Sequence, residues 1–87
     1  MLLIGSRLIG SAAIQWILNM AEINKKVGKN IQKHRIKRGL TQETLAFEAD
    51  LHRAYIGQIE RGEKNIGVQN LQKIAKALGI KMSKLLD

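Results

Sequence analysis

The chain has 87 residues, 15 basic and 7 acidic, for a formal charge of +8, and it contains neither cysteine nor proline. Its length allows one small domain. The missing cysteine excludes a disulfide framework and a thiolate metal site, and the missing proline favours helices over a loop-rich fold. The charge directs the chain toward polyanions, with nucleic acid and anionic membrane surfaces as the two classes.

Residues 1–20, "MLLIGSRLIGSAAIQWILNM", are largely apolar with one charge, Arg7; residues 21–87 hold the other 14 basic residues and all 7 acids. This shift divides the chain into an apolar N-terminal extension and a basic domain. Read as a secretory signal, the extension lacks a basic start and is interrupted by Arg7, Gln15 and Asn19. Read as a membrane span, it is barely long enough and carries an arginine. Read as an amphipathic helix, it places Ile9, Ala13, Trp16, Ile17 and Met20 on one face, suited to docking on the domain or on a second chain. The plainest expectation is an extension outside the working domain, with Met20 serving as an ordinary initiator. A membrane role is the weakest of these readings.

The remainder reads as helices. From Glu22 to Arg38, Ile23, Val27 and Ile31 recur at helical spacing, and Gly39 follows as a C-cap. Thr41 caps a second helix that runs to about Ala49, with Glu43 in its first turn and Leu45 and Ala46 inward. "ADLH" makes the turn into a third helix, from about His52 to Arg61, with Ile56 and Ile59 inward and Gly62 as its stop. A fourth helix, about Val68 to Leu78, lines one face with Leu71, Ile74, Ala75 and Leu78. A final turn near Ser83–Leu86 offers Leu85 and Leu86 to the core. No stretch reads as a strand.

Lys25, Lys26, Lys29, Lys33, Arg35, Lys37 and Arg38 form a basic run without an acid among them. A solvated helix face is the ordinary outcome for such a run. Here no acid stands one turn away to compensate the repulsion, and a phosphate backbone is the natural counter-charge. The pair of short helices after the run is more specific. Ala46 is small where the two helices cross, while Leu51, Ile56 and Ile59 anchor the second of them. That leaves His52, Arg53, Ala54, Gln58 and Arg61 outward, with Tyr55 at the edge. Arg suits guanine, Gln suits adenine and the Ala methyl suits thymine, as on a helix that fills a major groove.

With these residues in view, "IQKHRIKRGLTQETLAFEADLHRAYIGQIERGEKNIGVQNLQKIAKALGI" and its flanks, residues 24–86, resemble the helix-turn-helix family of lambda and 434 repressor and Cro type, often called the Xre family. "LHRAYIGQIERGEKNI" looks most like the small controller proteins of restriction–modification systems. The resemblance implies an all-α, compact five-helix domain, residues 21–87, with the apolar segment 1–20 added. It implies that Gln42 contacts phosphate and braces the recognition helix, and that His52, Arg53, Ala54 and Gln58 face base edges. Tyr55 would touch the DNA backbone, while Lys64 and Asn65 would reach phosphates across the groove. Arg35 and Glu60 match a partly buried ion pair, which removes Arg35 from the DNA contacts and leaves Arg38 and Arg61 among them. Three positions depart from the pattern: Asp50 replaces the usual turn glycine, Gly57 stands where controller-like relatives carry Ser, and Gly67 stands where Ser or Thr would cap the fourth helix.

Enzymatic readings find no support. His34 and His52 lie in basic surroundings without a carboxylate at a useful spacing, and Ser6, Ser11 and Ser83 have no base partner. Met20 and Met82 read as packing residues. The expected protein is a cytoplasmic, sequence-specific DNA-binding regulator without cofactor or metal. It would act as a homodimer on a two-fold operator in double-stranded DNA, with dimer contacts sought at Ile66, Val68, the tail or the leader. The rival is an antitoxin-like or adaptor module that uses the same fold to bind a protein.

Overall fold

A computed structural model describes the backbone of residues 2–87 and the side chains of residues 11–87. Five helices follow in order: α1 (Leu2–Lys37), α2 (Gln42–Ala49), α3 (Arg53–Glu60), α4 (Val68–Leu78) and α5 (Ser83–Leu86). The first differs most from the sequence expectation. It does not begin near Glu22 but runs unbroken through residue 20, where the composition shifts. No glycine or proline stands between Gly10 and Gly28 to stop it. At 1.5 Å per residue, α1 is about 54 Å long. The side chains of Arg7 and Ile9 lie outside the described residues. Among the described residues no helix is long and apolar enough to cross a membrane.

Local signals end the helices where the sequence places them, within a residue. Gly39 has φ of +71°, and Leu40 N–H reaches the Arg35 carbonyl at 3.0 Å, a bond that a left-handed cap makes possible. The Thr41 hydroxyl then accepts from Thr44 N–H at 3.0 Å and starts α2. Asp50 ends α2 with φ of +56°, the only positive φ outside glycine among the described residues. Its short polar side chain makes this conformation tolerable.

The core is formed by Val27 and Ile31 of α1, Leu45, Ala46 and Ala49 of α2, Ile56 and Ile59 of α3, four residues of α4, and Leu85. The four from α4 are Leu71, Ile74, Ala75 and Leu78. Two expected core residues are outside. Ile23 is 56% exposed, because α1 there has passed beyond the helices that cover Val27 and Ile31. Leu86 is 50% exposed; successive helical residues are about 100° apart, so once Leu85 turns inward its neighbour turns out.

Gly28 sets how closely α1 approaches α3. A Cβ there would lie 2.3 Å from the Ile59 carbonyl oxygen and 2.8 Å from that of Glu60. Only a hydrogen side chain lets the helix lie against the end of α3 at this distance. Seven residues on, and so on the same face of α1, Arg35 meets Glu60 from the same side.

Candidate nucleic-acid interface

The orientation of α3 is held by one charged cluster. Arg35 Nε donates to Glu60 Oε2 at 2.7 Å, and its Nη2 donates to Glu60 Oε1 at 3.1 Å. A third guanidinium nitrogen, Nη1, donates to the Leu40 carbonyl at 2.9 Å. Gln42 Nε2 adds a donor to Glu60 Oε1 at 3.0 Å. The side chain of Arg35 is 12% exposed and that of Glu60 only 2%. Such burial is tolerated because both carboxylate oxygens are matched by donors. The cluster joins the end of α1, the first residue of α2 and the last residue of α3, so the C-terminal end of α3 is tied to both other helices. Gln42 therefore has a bracing bond within the chain.

With Ile56 and Ile59 buried, the other side of α3 faces out. Gln42, Arg53, Ala54, Gly57, Gln58 and Arg61 line one shallow depression. Five of these are sequence-expected contacts, and Gly57 lies between them. A Cβ on Gly57 would sit 3.1 Å from Arg61 Nη1 and 3.7 Å from Gln42 Oε1, so its absence leaves floor space between those two side chains. His52, the N-cap of α3, is exposed and makes no side-chain capping bond. Lys64 and Asn65 are exposed in the loop that follows. Tyr55 is half-buried, and its hydroxyl accepts from Asn70 Nδ2 of α4 at 3.0 Å.

Two basic residues have partners that the sequence did not suggest. Arg61 pairs with Glu63, two residues on, in an exposed ion pair. The hydrogen bond from Arg61 holds the Glu63 carboxyl below its ordinary range; desolvation opposes it, and the charges of Arg61 and Lys64 act with it. The same bond, followed by the charge of Glu63, raises Arg61. Arg38 is not grouped with the residues of α3. Its Nη1 donates to the Ala77 carbonyl at 3.2 Å, in the last turn of α4 where a cation is favoured. It lines a different depression, with Glu48, Asp50, Lys73 and Lys76. Of the remaining basic run, Lys25, Lys26, Lys29, Lys33 and Lys37 are exposed. Among the described residues no group of three or more His, Cys, Asp or Glu is placed to hold a metal ion.

Sequence reasoning missed Gly28, Glu63 and Asn70. Gly28 and Asn70 act on residues distant in sequence and belong to no local pattern, whereas Glu63 lies two residues from Arg61.

The family model described as helix-turn-helix matches residues 31–85. The chain belongs to the helix-turn-helix family. Within it, the chain is 49% identical over 61 residues to control protein C.BamHI of Bacillus amyloliquefaciens, covering 69% of this chain and 75% of that protein. It is 40% identical over 69 residues to control protein C.MunI of a Mycoplasma species, covering 78% and 93% respectively. The crystal structure of the restriction-modification controller protein C.AhdI from Aeromonas hydrophila superposes with a TM-score of 0.70 at 42% identity, covering 71% of this chain and 94% of that one. In helix-turn-helix terms, α2 and α3 are the paired helices and Asp50 lies in the turn between them.

Proposed function

We propose that this sequence-specific DNA-binding transcriptional regulator works as a homodimer that places α3 of each copy in the major groove of a two-fold operator. The observation that carries this reading is the single depression where Arg53, Ala54, Gln58, Gln42 and Arg61 meet on the outer side of a buried-backed helix. Arg53 suits guanine, Gln58 adenine and Ala54 a thymine methyl, with His52 beside them at the helix start. Tyr55, Lys64 and Asn65 contact the DNA backbone, and the second amide proton of Gln42 is left for a phosphate. The exposed lysines of α1 supply long-range attraction. Two copies bind half-sites about one helical turn apart. Val68 and Leu86 are exposed apolar residues available to a dimer contact. The controller proteins among the relatives support a regulatory role in a restriction–modification setting.

Selection of bound sites from random duplex tests this reading. Arg53→Ala relaxes the preference at one base pair and costs about 1–3 kcal/mol of binding, whereas Lys64→Ala weakens all sequences alike and flattens the salt dependence. Intact affinity and preference in Arg53→Ala would remove the docking arrangement. A chain that captured a partner protein but showed no preferred duplex and no steep salt dependence would be an adaptor instead.

A further inference from the structure

Asn70 is the third residue of α4, and Gly67, which precedes the helix, brings no side chain to its first turn. A polar side chain at this position ordinarily turns back toward the N-cap backbone in a capping box. Here it reaches to the neighbouring helix, where Nδ2 donates to the Tyr55 hydroxyl at 3.0 Å. Both residues are half-buried, so the bond lies at the border of the core and the outer surface of α3.

That bond determines the polarity of the hydroxyl. A tyrosine hydroxyl has one proton to donate and lone pairs with which to accept. With the Asn70 amide directed at one lone pair, the proton points away from α4. Among the described residues it meets no protein acceptor. We infer that Asn70 is a positioning residue for DNA recognition: it presents Tyr55 to the ligand as an oriented hydrogen-bond donor. The inference rests on the DNA-reading function above. The matching ligand group is an acceptor, a phosphate oxygen in the backbone contact proposed above; an acceptor on a base edge such as thymine O4 or a purine N7 is the other outcome that the test distinguishes. Exocyclic amines of adenine and cytosine are disfavoured opposite this proton.

The test is a double-mutant cycle on the full chain, with affinity for a selected duplex read by fluorescence anisotropy. Asn70→Ala and Tyr55→Phe should each weaken binding by about three- to tenfold, the usual range for one hydrogen bond. The double variant should be no weaker than Tyr55→Phe alone, and both single variants, which lose the same part-buried bond, should show a similar small drop in unfolding temperature while all four proteins stay folded at the assay temperature. A phosphate acceptor shows as equal loss on every duplex with a shallower salt slope. A base acceptor shows as relaxed preference at one base pair. A general structural role for Asn70 moves neither quantity and persists in the Tyr55→Phe background. Wild-type affinity in Asn70→Ala, or an undiminished Asn70→Ala effect in the Tyr55→Phe background, overturns the inference while leaving specific DNA binding intact. Absence of any duplex preference in the wild-type chain overturns the DNA reading itself and this inference with it.

Discussion

Between Val27 and Arg35, one side of α1 is closed by α3 and α5; between Ser11 and Ile23, the same helix exposes Ile14, Trp16, Ile17 and Leu18. The exposed half is the more apolar of the two, with no charge between Arg7 and Glu22. The buried half carries Lys29 and Lys33 and contributes only Val27 and Ile31 to the apolar core. Apolar content therefore does not decide which half is buried. The buried half is marked by features that make sense only against a facing surface: a glycine where backbones touch, and an arginine whose partner is on another helix.

Three substitutions test this contrast. The largest effect is expected from Glu60→Ala, which leaves Arg35 nearly buried without its counter-charge and also removes the anchor of Gln42. Urea unfolding should show a loss of about 3–5 kcal/mol; a loss typical of a surface pair would mean that the cluster does not hold α3. Next comes Gly28→Ala. The added methyl cannot fit beside the carbonyls of residues 59 and 60, and overpacking of this kind costs about 1–3 kcal/mol. A neutral result would show that α1 can slide away from α3 without penalty. The smallest effect is expected from Ile17→Ala, within about 0.5 kcal/mol for the monomer. A loss that appears only at high protein concentration would show that a second copy covers this half of α1.

Much of the domain was legible because its information is local. Helical spacing identified the inward residues of α2, α3 and α4, and Thr41, Gly39 and Gly62 marked helix ends through side-chain or backbone chemistry within a few residues. Ile23 was misplaced because periodicity assigns a face but does not say whether another element reaches that far, and Leu86 because two successive residues of one helical turn do not both face inward. The start of α1 was misplaced because a change of composition was treated as a boundary, although nothing between Gly10 and Gly28 interrupts a helix. On the candidate interface, the outward residues of α3 followed from the inward ones. The Arg35–Glu60 pair spans 25 residues, too far for local spacing to reveal, and entered only through family resemblance. The Asn70–Tyr55 bond, across 15 residues, had no such pattern to expose it.

The pairing of Arg61 with Glu63 changes the local charge beside α3. The carboxylate occupies the guanidinium with the same fork of oxygens that a phosphate would offer. Both partners are largely exposed, so the pair is weak and screened, and a phosphate that engaged Arg61 would exchange one exposed ion pair for another. The Glu63 carboxylate cancels one unit of positive charge beside this depression, so a count of arginines overstates the charge that this side of α3 carries.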